Sequence, residues 1–348
     1  MIIRSSSLKK HKIAPQAVFF QISTQRQVGI YCRQTPHILM DFDRQPEFMP
    51  LDITEDLIDQ LHTMGTKRIT ISGLGDPALH PGLKRILQKC QTLDFNTVLE
   101  TTTLNLTPLL LTQANVVRVP LWAFSLRHQN ETCPDLDEIL FSSLVETLDQ
   151  LALRRKQKEN FAPDIEIVVT LTAENMVYLL DIENLLTNGR VQRVYFRYVN
   201  KATALNELET SPDPTLSEVQ EMFSKLEKIL QANKVASNLK TFRKEGTTKK
   251  FIWNAHPCWA GFSFARISPY GEVRPCQHSR LIAGNIFETH SFEAIWNSQR
   301  FGQFCTQMST QFSLLGSYEE CGACPYLSFN RKVSRTGLIC LSEFERTA

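Results

Sequence analysis

Six of the nine cysteines lie from residue 258 onward, and five of them, Cys258, Cys276, Cys321, Cys324 and Cys340, form a group that leaves out Cys305. Residues 321–324 read CGAC, a spacing that lets two thiolates from one tight turn reach one metal. Cys258 and Cys276 bracket SPYG (268–271), which has Pro at the second turn position and Gly at the fourth, between apolar-rich flanks. This stretch reads as a hairpin with a cysteine on each outer end. Two such pairs make a four-sulfur site. Tetrahedral zinc and an iron-sulfur cluster both favour soft sulfur donors, and ligand count does not separate them. The alternatives are four unconnected buried thiols or a redox CxxC, the latter without the thioredoxin-like βαβ context it needs. Cys340 is read as a fifth ligand or a structural thiol, and Cys305 as a packed residue in one helix spanning IWNSQRFGQFC. His256 and His278, close in sequence to the first cysteine pair, are left out of the ligand set.

The elements that must position these sulfurs follow a different pattern from the rest of the chain. Over the first two hundred residues, short β-rich runs alternate with stretches of helical period, as in βα units around a parallel sheet. The strand candidates are 17–23, 67–73, 96–102, 116–122, 165–171 and 192–198. Six strands are enough for a partial barrel. Asp52 with Glu55 predicts a helix start, Leu57, Ile58 and Leu61 share its inner face, and Gly65 stops it. A second helix is expected after His80 and Pro81. Thr215 and Glu218 form a capping box ahead of an apolar stripe at Val219, Met222, Phe223, Leu226, Ile229 and Leu230, which reads as core packing. RKEGTTKK (243–250) reads as a solvated linker.

Bulk composition narrows the function classes. The chain has 348 residues, 42% hydrophobic and 21% charged, which suits an ordinary globular protein with a substantial core. Net charge is +2, from 38 basic against 36 acidic residues, so no bulk field draws it toward nucleic acid or anionic lipid. The basic start is not followed by a long apolar span, and nowhere do eighteen apolar residues run together. These features, with nine cysteines and no pattern of a disulfide framework, give the expectation of a cytoplasmic protein that binds neither nucleic acid nor membrane. No P-loop or HExxH is present, and no acid-base dyad can be read from one sequence.

With these residues in view, a resemblance emerges. CWAGFSFARISPYGEVRPC (258–276), then GNI (284–286), FEAIW (292–296) and CGAC (321–324), resembles the auxiliary-cluster domain, SPASM or its shorter twitch form, of radical S-adenosylmethionine (radical SAM) enzymes. The shorter form holds one 4Fe-4S cluster, and the resemblance implies Cys258, Cys276, Cys321 and Cys324 as its ligands. The fuller form needs further cysteines after the CxxC, where PYLSFNRKVS offers none. SGLGDPALHPGL (72–83) is similar to the superfamily's glycine-rich segment after the second strand, with Gly75, Asp76 and Pro77 matching and Asp in place of Glu. The resemblance assigns that segment to the methionine amino group of S-adenosylmethionine. The implied fold is α/β: a partial (β/α)6 TIM-like barrel with a small C-terminal cysteine-rich domain. The expected division is an N-terminal extension at 1–16, a barrel at 17–242, a linker at 243–257 and the auxiliary domain at 258–348.

One part of the resemblance fails. The superfamily's CxxxCxxC follows strand one, and in register this sequence places Gln25, Gly29 and Cys32 at its three cysteine positions. Glycine has no side chain, and a neutral amide is a poor ligand for iron in a sulfide cage. One thiolate is expected not to hold the S-adenosylmethionine-cleaving cluster, whether or not Cys133 approaches Cys32. VPLWAF (119–124) also replaces the small polar run many relatives carry in strand four, with Trp122 at the pocket mouth or packed in the core. The first expectation is a non-catalytic partner with one auxiliary cluster, working beside an intact radical SAM enzyme or binding its peptide or small-molecule substrate. The second is an enzyme with atypical cluster ligands, catalysing dehydrogenation, epimerisation or cross-linking, or a pocket binding S-adenosylmethionine for polar chemistry. The third is a structural zinc protein.

Overall fold

A computed structural model describes residues 2–4, 14–24, 46–101, 108–122, 134–157, 163–171, 176–198, 216–246, 257–276, 279, 281–310, 327–336 and 338–340. Along the chain, a short strand β1 (Ile2–Arg4) precedes β2 (Ala17–Gln21), α1 (Leu51–Met64), β3 (Arg68–Ser72), α2 (Leu83–Thr92) and β4 (Asn96–Glu100). Then come β5 (Val116–Trp122), α3 (Pro134–Lys156), β6 (Asp164–Leu171), β7 (Arg193–Tyr198), α4 (Leu216–Ala232), β8 (Ala236–Ser237) and α5 (Leu239–Gly246). The C-terminal part holds β9 (Phe264–Ile267), β10 (Glu272–Arg274), β11 (Gly284–Asn285), α6 (Phe292–Trp296), α7 (Gln299–Thr310), α8 (Leu327–Thr336) and β12 (Leu338–Cys340). All six expected strands form, and β2 to β7 are the parallel strands of a partial (β/α)6 barrel. Among the described residues, no helix is long and apolar enough to cross a membrane.

The chain divides into two compact units, each discontinuous in sequence. The first contains residues 1–25, 43–97 and 250–348, and the second 26–42 and 98–249. In the first unit the strand order is β11-β10-β9-β2-β3, with β9 parallel to β2. The hairpin after Cys258 is thus hydrogen-bonded to the first barrel strand: Val18 opposes both Ile69 of β3 and Ala265 of β9. Val18, Phe20, Ile69, Ile71, Ala265 and Ile267 lie on one face of this sheet, and Ala17, Phe19, Gln21, Thr70, Phe264 and Arg266 on the other. All are buried, which is why these strands read as near-continuous apolar runs.

The helix before β3 corrects one expectation. α1 starts at Leu51 with Pro50 as its N-cap and no side-chain cap hydrogen bond, so Asp52 lies in the first turn instead of capping it. Pro50 sets the boundary because its ring fixes φ, here at −53°, and it has no N–H to satisfy. Asp52 still complements the positive end of the helix dipole. Leu57, Ile58 and Leu61 are buried as expected, and Gly65 ends the helix at φ 93°, a left-handed conformation that Gly adopts without strain. Two further boundaries move. The stretch read as one helix at 295–305 is two, because Asn297 caps α6 and Ser298 Oγ accepts the Phe301 N–H (3.2 Å) at the start of α7. α5 runs on to Gly246, through the first residues of the stretch read as a linker.

In the second unit β4, from Val98 on, pairs with β5, and the order continues β5-β6-β7-β8. Glu100, Arg118, Glu166 and Arg193 face each other in register across these four strands, a row of alternating charge. Glu166 is fully buried; its Oε2 accepts from Arg118 Nη2 (3.0 Å) and its Oε1 from Arg193 Nη1 (2.7 Å). Burial acts to lower the Arg118 pKa, but Glu166 and Glu100 more than offset it and hold the guanidinium above its ordinary value. α4 covers this unit with Val219, Phe223, Leu226 and Leu230 buried and Met222 and Ile229 half-buried, the expected stripe. Thr215, the expected cap, lies outside the described residues, and α4 begins at Leu216.

Candidate metal centre

The wall that receives the first two cysteines is apolar. Ala17 and Phe19 of β2, Phe264 of β9, Trp259 and Ala260 of the helical turn just before β9, and Phe329 and Val333 of α8 form one buried cluster, and Cys258, Phe262 and Cys276 pack against it. Both thiols are therefore brought to the same surface. The hairpin does this as the sequence suggests: β9 and β10 pair Ile267 with Val273 and Arg266 with Arg274. Gly271 closes the turn at φ 76°, and its N–H donates to Ser268 O (3.0 Å).

Cys258 is clamped through its backbone. Its N–H donates to Met308 O of α7 (3.1 Å), and the next N–H, of Trp259, donates to Asn330 Oδ1 of α8 (2.7 Å). The Trp259 indole Nε1 donates to Ser334 Oγ (3.3 Å), one helical turn further along α8. Burial pushes the Cys258 thiol up to about 12, and the like charge of Cys276 adds to the shift, which marks the two sulfurs as neighbours. Without a cation, two thiolates here are strained by burial and by each other. A bound metal supplies the missing positive charge, so this pair of soft donors on an apolar wall fits an iron-sulfur cluster or zinc. Cys321 and Cys324 lie outside the described residues, and among the described residues no three metal-ligating side chains converge.

The remaining cysteines divide by surroundings. Cys305 is buried, as expected, and its thiol donates to Gly261 O (3.2 Å); burial, then the charge of Cys258, raises its pKa. Gly261 has to be glycine, because a Cβ there would lie 2.9 Å from the Cys305 sulfur. Cys90 is buried in α2, where desolvation pushes it up to about 12. Cys340 is the end of β12, whose backbone opposes Ile2 of β1. Cys133, His256 and His278 lie outside the described residues.

The second candidate site lies at the end of β3. Gly73 allows a turn so tight that a Cβ would come 2.2 Å from Gly75 O and 2.8 Å from Ser23 O. Leu74 and Gly75 both donate their N–H to Ser23 O (2.9 and 3.1 Å), which holds the turn against the end of β2. Asp76 is fully buried, and its Oδ1 accepts the Ala78 N–H (2.8 Å), capping a short 3-10 turn at Pro77–Leu79. His80 Nδ1 accepts the Gly82 N–H (2.9 Å), which leaves Nε2 as the protonated nitrogen facing Met49 O (2.9 Å). Burial lowers the His80 pKa, against the opposing Met49 hydrogen bond. Gln25, Gly29 and Cys32, at the degenerate motif, lie outside the described residues, and so does the Trp122 side chain.

Asn330 and Ser334 are residues that sequence reasoning missed. PYLSFNRKVS drew notice only for its lack of cysteines. The legible signal was their i, i+4 spacing on one helix face close after the CxxC.

Comparison with known proteins now bears on this geometry. Residues 258–325 match the family model of SPASM, an iron-sulfur cluster-binding domain, a segment that begins at Cys258 and includes Cys276, Cys321 and Cys324. The C-terminal segment is therefore a SPASM domain, which implies an iron-sulfur cluster, and it follows a partial barrel of the kind found in the solved structures below. Among solved structures, the chain is similar to Streptococcus suis SuiB bound to its precursor peptide SuiA, with a TM-score of 0.58 and 15% identity over 92% of this chain and 73% of that one. It is also similar to anSMEcpe with bound S-adenosylmethionine, with a TM-score of 0.54 and 14% identity over 89% of this chain and 84% of that one. No curated protein matches the sequence.

Proposed function

We propose that this protein holds one 4Fe-4S cluster in its SPASM domain, through Cys258, Cys276, Cys321 and Cys324, lacks the S-adenosylmethionine-cleaving cluster, and serves as a non-catalytic partner or substrate-binding subunit in a modification pathway. The observation that carries the reading is the contrast in thiols. Cys258 and Cys276 share one wall and the CxxC follows them, whereas the motif after β2 has Gln25 and Gly29 at two of its three ligand positions. When bound, the cluster supplies one-electron redox capacity and cross-links the hairpin to the segment before α8. The chain's own residues orient the ligands: Met308 O holds the Cys258 N–H, Asn330 Oδ1 holds the next N–H, of Trp259, and the β9–β10 pairing ends at Arg274, two residues before Cys276. The likeness to SuiB, a structure that contains a precursor peptide, supports a peptide as the substrate class; the partner in the proposal is an intact radical SAM enzyme, because this chain's own motif has one cysteine of three. The division into extension, barrel, linker and auxiliary domain at residues 16, 242 and 257 and a cytoplasmic location belong to the same proposal.

Iron and sulfide assay of anaerobically purified protein tests it. The expected result is about four irons per chain and no S-adenosylmethionine cleavage with dithionite. About eight irons with cleavage overturns it, and a colourless protein with one zinc per chain replaces the cluster by zinc. One observation favours a second reading, an active enzyme with atypical ligands: the Gly73–Pro77 turn keeps its closed geometry against β2. Calorimetric titration with S-adenosylmethionine separates the two. The first reading expects no heat at millimolar ligand, because Asp76 already spends a carboxylate oxygen on Ala78.

A further inference from the structure

Asn330 is fully buried on α8, beside the backbone of Cys258. Its amide orientation follows from its partners. The Trp259 N–H can only donate, so the atom 2.7 Å from it must be Oδ1. Nδ2 then points the other way, and it lies 3.9 Å from the Cys258 sulfur, within reach of an N–H···S hydrogen bond. A fully buried amide left without partners is costly, and the Asn330 side chain bonds the Trp259 N–H through Oδ1 and the Cys258 sulfur through Nδ2. The backbone of Ala260 and that of Gly261 also act to lower the Cys258 pKa, against the larger effect of burial.

We infer that Asn330 is a positioning residue for the auxiliary cluster, setting the Cys258 ligand by its bond to the Trp259 N–H and raising the cluster's reduction potential by donating its amide N–H to the Cys258 sulfur. The inference rests on the ligand set proposed above. Its physical basis is charge. Reduction adds an electron shared by the iron and its thiolates, and a fixed N–H dipole aimed at a ligand sulfur stabilises the reduced state more than the oxidised one. Ser334, four residues on, ties the same helix to the Trp259 indole and so supplies the control.

The test is an EPR-monitored redox titration of the anaerobic full-length chain, with iron and sulfide measured on each sample. Asn330→Leu removes the donor, and Asn330→Asp keeps an acceptor for the Trp259 N–H but sets an anion beside the sulfur. Both are expected to shift the potential to more negative values at unchanged iron content, the aspartate further. Ser334→Ala is expected to leave it unmoved. An unshifted Asn330→Leu, or a Ser334→Ala shift as large as that of Asn330→Leu, overturns the inference. Should both Asn330 variants lose the cluster, the wild-type chain decides: with asparagine side chains labelled by 15N, pulsed EPR of the reduced cluster shows a nitrogen coupling, and its absence overturns the assignment. A wild-type chain without iron instead sinks the ligand set, and this inference with it.

Discussion

The turn after β3 and the wall around Cys258 both bury polar groups in the first unit, and they use them in opposite ways. In the turn, two side chains cap their own loop: Asp76 takes the Ala78 N–H and His80 the Gly82 N–H, each two residues on, and the other His80 nitrogen faces Met49 O. At Cys258 a side-chain donor comes from elsewhere in the fold. The Asn330 amide arrives from α8, 72 positions away, and it points at a sulfur rather than closing a loop. Polar groups whose partners sit in their own loop shape the backbone. A donor aimed at a partly buried sulfur favours its charged form, the form in which a thiol binds metal.

That contrast can be broken in four places. The largest expected effect is at the wall. Cys258→Ser or Cys276→Ser should lose more than half of the bound iron in a metal assay, and chelation of wild-type protein should lower its Tm. An unchanged metal content would end the distinction between the two regions. Next is the charged row of the second unit, another set of polar groups with internal partners. Glu166→Ala leaves Arg118 buried without its main counter-charge and should cost about 3–5 kcal/mol in urea unfolding. Pairing Arg118→Met with Glu166→Leu should recover most of that loss, with the metal content unmoved throughout.

Smaller effects belong to the turn itself. Gly73→Ala forces a Cβ against the backbone carbonyls of Gly75 and Ser23, and should cost on the order of 2–3 kcal/mol without loss of iron. The smallest effect is a pH dependence at His80. Its folded pKa lies below the unfolded value, so the unfolded chain binds the proton first as the pH falls. Stability from this group is full above about pH 6.5 and declines with acidification below that. His80→Gln should flatten this part of the pH profile of the urea midpoint, and an unchanged slope would remove His80 from the account.

The strands were legible because buried parallel strands write themselves as short apolar runs, and all six formed where the runs lie. The hairpin was legible because Pro269 and Gly271 restrict the turn to few conformations. Helix boundaries were less so: Asp52 has the chemistry of a cap, but Pro50 ends the chain's freedom to enter the helix before Asp52 is reached. A break at Asn297 and Ser298 is likewise invisible to a periodicity that continues across it. Of the candidate site, the cysteine spacing was readable and the neighbours of the sulfurs were not.

Sequence alone supplied the soft sulfur donors from which a metal site can be built, because ligand chemistry belongs to the residue type. It also determined the βα alternation, because hydrophobic period is local. Only the tertiary structure decided that β9 pairs with β2, that Phe19 and Phe329 share a wall with Cys258, and that Asn330 turns its amide to the sulfur. Those facts join residues far apart in the sequence, and packing and hydrogen-bond geometry, which no local pattern encodes, select them.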